Sequence, residues 1–123
     1  MNQQNLWVEP LGNVIMARLR GSPTDAQLRE CQDRVIQLVK DTGSKKIVYD
    51  TLEMDPPPVD QVILQQKMQE EMASLGLRSA LVVPNTRIAY LARIAFGDGD
   101  YRVFYNDLGA ALAWLEQPPT SQA

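Results

Sequence analysis

Lys46-Ile47-Val48-Tyr49-Asp50, followed by Thr51 to Pro58, then Asp60 to Leu75 with Gly76 behind it, then Ser79-Ala80-Leu81-Val82-Val83, is the stretch that sets the fold. Its first five residues form a short β-type run. The three prolines Pro56, Pro57 and Pro58 lack amide donors, so no regular pairing is expected from Thr51 to Pro58. Leu64, Met68, Met72 and Leu75 recur at helical spacing, which predicts a helix from about Asp60 to Leu75, stopped by Gly76. The apolar run Ser79 to Val83 reads as a buried strand, closed by Pro84. A strand, a helix and a second buried strand make a parallel crossover unit.

The same alternation extends in both directions. Toward the N-terminus, Leu6 to Glu9 and Val14 to Arg20 read as two strands joined around Leu11-Gly12-Asn13, the first antiparallel to the second. Gly21 breaks the second strand, and Ser22-Pro23-Thr24-Asp25 opens a helix. Thr24 can cap it and Gln27 can complete a capping box. Leu28, Cys31, Val35, Leu38 and Val39 form its apolar stripe, and Gly43 ends it. Toward the C-terminus, Thr86 to Phe96 reads as a helix with Ile88, Leu91, Ala92 and Ala95 inward. Tyr101 to Tyr105 is a strand, and Asn106 or Asp107 caps a last helix through Trp114 and Leu115. The order ββαβαβαβα predicts a single α/β domain over residues 1–123, a mainly parallel sheet with crossover helices. Residues 1–5 and 117–123 are polar ends expected to fray.

Composition narrows the function. The chain has 123 residues, enough for one domain with its own core. A net charge of −3 argues against nucleic acid as the partner. No apolar run is long enough for a membrane span, and the stretch Met1 to Asn5 lacks the basic and apolar regions of a secretory signal. A cytoplasmic location is expected. Cys31 is the one cysteine, so no internal disulfide is available, and its place on an apolar stripe reads as a small core residue. Histidine is absent, which removes histidine-based nucleophile pairs, proton shuttles and nearly all zinc sites. No cofactor and no metal are expected.

The element order and its endings resemble the STAS domain (sulphate transporter and anti-sigma-factor antagonist), and within it the SpoIIAA-like branch, also grouped with Sec14-like lipid-binding folds. Gly21 to Asp25, Ile47 to Asp50, Tyr101 to Phe104 and the closing Ala111-Leu112-Ala113-Trp114-Leu115 carry the resemblance. It implies a regulatory protein that docks a partner: an anti-sigma factor or kinase-like regulator, another STAS protein, or a second copy in a homodimer. In that branch a serine or threonine at the start of the second crossover helix is the phosphorylation switch. Here that place holds Pro57, Pro58, Val59 and Asp60, and no hydroxyl residue lies between Thr51 and Ser74. The usual phospho-site is therefore missing. The alternative reading is a Sec14-like pocket for a lipid or nucleotide.

Three groups of residues invite a chemical role. Asp50, Glu53, Asp55 and Asp60 follow the third strand, where open α/β sheets bind ligands. They read either as a Mg²⁺ or phospho-acceptor site or, more plainly, as a solvated acidic loop. Arg87, Arg93 and Arg102 would form an anion site if the fold gathered them at one end of the sheet. Val59, Val62 and Ile63 fall away from the Leu64–Met68–Met72 stripe. They are expected to form, with Asp55, Pro56, Pro57 and Pro58, an exposed patch for a partner. The overall expectation is a non-catalytic protein-binding module.

Overall fold

A computed structural model of the chain describes residues 5–117. Of the ends expected to fray, residues 1–5 and 117–123, all but Asn5 and Gln117 lie outside the described residues. Ten elements follow one another: strands β1 (Leu6–Leu11) and β2 (Val14–Gly21), helix α1 (Asp25–Thr42), β3 (Lys46–Met54), α2 (Val59–Met72) continued by a 3₁₀ turn at Ala73–Leu75, β4 (Arg78–Val83), α3 (Thr86–Phe96), β5 (Tyr101–Tyr105) and α4 (Leu108–Glu116). The expected order ββαβαβαβα is the observed one.

The sheet order is β1-β2-β3-β4-β5, with β1 antiparallel to β2 and every later neighbour parallel. Strands laid down steadily in one direction, each through a right-handed crossover, place all their helices on one face. So α1, α2 and α3 share a face, where Ile15, Ala17, Ile47, Tyr49 and Leu81 meet Leu28, Cys31, Val35 and Met68. The closing helix α4 returns to the other face. There Ala111 and Leu115 cover Val14, Met16, Val48, Ala80 and Val82. The central strands are apolar on both sides because both sides are covered.

Local signals act where the sequence puts them. The Thr24 hydroxyl accepts from the Gln27 amide (3.1 Å) and the Gln27 side chain accepts from the Thr24 amide (2.9 Å), closing the capping box. Gly43 ends α1 at φ 76°, a conformation that suits glycine. Asn85 caps α3 and Asp107 caps α4. One expectation fails: β3 runs on to Met54. Its added residues keep their amides, Arg20 and Gly21 pair with Glu53 and Met54 after a shift in register, and the Asp55 amide donates to the Gly21 carbonyl (2.8 Å). The prolines stop the strand only at their own positions. Among the described residues no helix is long and apolar enough to cross a membrane.

Candidate functional site

The carboxyl ends of β2 and β3 and the start of α2 meet at one edge of the sheet, tied together by side chains. The Ser22 hydroxyl donates to Asp55 (2.9 Å) across the two loops. Gln61 donates to the Pro23 carbonyl (2.9 Å) and to Asp25 (3.1 Å), locking α2 to the entry of α1. Pro58 is the N-cap of α2 and offers no side-chain bond to its free amides, while Asp60 lies in the first turn, a favourable place for a carboxylate.

The patch expected on α2 is only partly assembled. Val59 is 69% exposed and Ile63 59%, beside the exposed Asp55, Pro56 and Pro58 and the half-buried Pro57. Val62 does not join them. It is 5% exposed and packs inward. The reason is the width of the buried face: at 3.6 residues per turn, Val62 sits about 120° from Met68, with Met72, Gln65 and Gln69 between them. One broad arc covers the sheet, and Val62 is its far edge.

The acidic residues do not converge. Asp50 is 5% exposed and takes the Arg18 Nε (3.0 Å) on one oxygen and the Leu52 amide (3.1 Å) on the other. Glu53 pairs with Arg20 (2.7 Å), and Asp55 is held by Ser22. The fold does not gather the three arginines into the anion site considered from the sequence. Arg93 reaches the Tyr105 hydroxyl (3.5 Å) on the α3 side. The Arg102 guanidinium lies over Phe104, at 5.6 Å, on the α4 side. Arg87 is exposed in the first turn of α3. Alternation along β5 puts Arg102 and Tyr105 on opposite faces, so Arg93 and Arg102 hold no common anion.

Two features had no sequence signal. The ladder of Arg18, Asp50, Arg20 and Glu53, with the Arg20 guanidinium over Trp7 at 5.3 Å, depends on strand register. A cavity of about 80 Å³ also opens between the sheet and helices α1, α2 and α3, at the end where Thr51, Met54 and Pro57 lie. It is well below the ~300–1,000 Å³ of pockets that enclose drug-sized ligands, so a whole lipid or nucleotide does not fit inside it. Cys31 and Tyr49 line it. Burial pushes the Cys31 thiol up to about 12, with Arg34 opposing and Glu30 adding. Burial likewise raises the Tyr49 hydroxyl, Cys31 adds to the rise, and the Gln69 amide beside it holds it back in part. Neither group ionises near neutral pH.

No protein-family model matches the chain, and no curated protein matches its sequence. Among solved structures it is similar to the anti-sigma factor antagonist SpoIIAA in its unphosphorylated form, with a TM-score of 0.68 and 12% sequence identity. The superposition covers 89% of this chain and 95% of that one. That likeness establishes that this chain has the fold of the anti-sigma factor antagonist SpoIIAA, the STAS fold.

Proposed function

We propose that the protein is a non-catalytic regulatory module that docks a protein partner through the β3–α2 loop and the outer face of α2. The observation that carries this reading is the exposure of Val59 and Ile63 on a helix whose inner face is already committed to the sheet. Two large aliphatic side chains beside a proline loop form an apolar point of contact, with Asp55 and Asp60 at its rim. The fold is that of a protein named as an anti-sigma factor antagonist, which favours an anti-sigma factor, a kinase-like regulator or another STAS protein as partner. A second copy of the chain is the competing occupant.

Absence of histidine and the engagement of Asp50, Glu53 and Asp55 in pairs of their own support a role without catalysis. The usual phosphorylation switch does not operate at the start of α2, where no hydroxyl stands. The hydroxyls nearby are occupied: Thr51 donates to the Val82 carbonyl (2.7 Å), Ser22 to Asp55, and Thr24 caps α1. The buried, protonated Cys31 suits work in the reducing cytoplasm. A photo-crosslinking residue at position 63, in the source cells, tests the reading. A discrete adduct from position 63, and none from position 40 on the exposed end of α1, supports docking at α2. Equal labelling from both positions contradicts it.

A further inference from the structure

The inner face of α2 carries Gln65 and Gln69 between Val62, Met68 and Met72, at positions where a crossover helix normally packs aliphatic side chains. The space beneath these glutamines is the cavity. Leu19, Tyr49 and Leu81 form its floor on the sheet, and Cys31, Met68 and Phe96 wall it from the three helices.

We propose that this cavity binds a small, neutral, mainly apolar molecule carrying one hydrogen-bonding group, which Gln69 and Tyr49 receive. Size sets the first limit. At about 80 Å³ the cavity exceeds the ~10–15 Å³ that one water needs and is about half the ~150 Å³ of an engineered apolar cavity that takes up benzene. The space as it stands takes less than a whole ring, and a single ring or short chain fits once the flexible methionine side chains of the wall give way. Charge sets the second limit. None of the described residues that line the space is charged, so an ion would lose its hydration without gaining a counter-charge.

Hydrogen bonding narrows the polar group's place to Tyr49 and the glutamines of α2. Gln32 spends its amide on the Met68 carbonyl (3.1 Å) and Glu71 (3.3 Å), and the Thr51 hydroxyl is spent on Val82. Gln69 from α2 and Tyr49 from the sheet both line the space. A primary amide has two donors and two acceptor lone pairs, so this pair keeps capacity for one more partner. Met54, Met68 and Met72 supply the adaptable part of the wall, since unbranched thioether side chains reshape readily around an occupant. The ligand would sit under the helix whose outer face carries Val59 and Ile63, yet the inference stands apart from the docking reading.

Titration of the isolated protein with 4-methylphenol, followed by toluene, tests it, with the methyl signals of Met68 and Met72 as the NMR readout. Both probes should shift these signals saturably, and the phenol should bind about fivefold tighter, the effect of one net hydrogen bond. Ala92→Leu should abolish both responses by filling the space. Gln69→Leu should retain toluene binding and erase the phenol's advantage. Absence of a saturable shift up to the solubility limit overturns the proposal, as does binding undiminished in folded Ala92→Leu. Equal affinity of the two probes for the wild-type protein overturns it too. If Ala92→Leu does not fold, persistence of the phenol's advantage in Gln69→Leu is the overturning result.

Discussion

Replacing Arg18 with methionine leaves the Asp50 carboxylate buried without its ion-pair partner. Asp50 is 5% exposed, and its two oxygens are satisfied by Arg18 at 3.0 Å and by the Leu52 amide at 3.1 Å. Removing one member of a fully buried pair costs about 3–5 kcal/mol. Here the Arg18 side chain is 45% exposed, so water already screens one side and can replace part of the guanidinium. Half the full value is the reasonable expectation, about 1.5–2.5 kcal/mol. A domain of this size loses roughly 3–5 °C of Tm per kcal/mol, so Arg18→Met should melt about 5–10 °C below the wild type. Replacing both residues, as Arg18→Met with Asp50→Leu, removes the unpaired charge and should recover most of the loss. Urea and thermal unfolding of the wild type, both single variants and the double variant close the cycle. If Arg18→Met unfolds within 0.5 kcal/mol of the wild type, the pair is a surface contact and the reasoning about a sequestered Asp50 is wrong.

Val62→Asp should destabilise the domain severely, because it forces a charge under α2, whereas Ile63→Asp one residue away should leave Tm nearly unchanged; a melting series measures both. Thr24→Ala should cost about 1 kcal/mol through loss of the α1 capping box, seen as a lower urea midpoint at unchanged slope. The Cys31 thiol is pushed up to about 12 in the folded chain but has an ordinary value near ~8.5 when unfolded. The unfolded state therefore loses its proton first, and stability should fall as pH rises from about 9 toward 12, by about 1.4 kcal/mol per pH unit from this group. The loss should be absent below pH 8, and Cys31→Ala should remove the slope between about pH 9 and 10, above which the raised Tyr49 hydroxyl adds a slope of its own.

Local signals were legible in the sequence because they act within a few residues. Thr24 and Gln27 lie three apart and close a capping box wherever they occur. Gly43 and Gly76 stop helical periodicity by adopting left-handed backbone. The strand–helix alternation then fixes a parallel sheet with little further information. What could not be read is non-local. Arg18 faces Asp50 only because β2 and β3 pair in one particular register, and that register shifts just beyond the pair. The run of prolines suggested a strand ending at Asp50, yet Thr51 to Met54 keep their amides and find Gly21 and its neighbours waiting. Apolar positions alone mark too narrow an inner face on α2 and leave Val62 outside it, whereas it is buried. Gln65 and Gln69 lie within that face, and their polarity concealed its true width. The cavity beneath them is a property of packing three helices on one sheet face. The separation of Arg93 from Arg102 follows from strand alternation once β5 is placed, and before that their clustering could not be judged.

Docking of a protein partner on the outer face of α2, as proposed above, turns on Ile63. Ile63 is 59% exposed, and its burial at an interface is worth about 1–2 kcal/mol, roughly a tenfold change in affinity before any penalty for a buried charge. Quantitative co-purification from the source cells, comparing the wild type with Ile63→Asp and with Lys40→Asp on the exposed end of α1, tests this most directly. A protein recovered in fixed ratio with the wild type and with Lys40→Asp, yet reduced at least about tenfold with equally stable Ile63→Asp, is the predicted result. Recovery of that protein undiminished by Ile63→Asp would contradict the account.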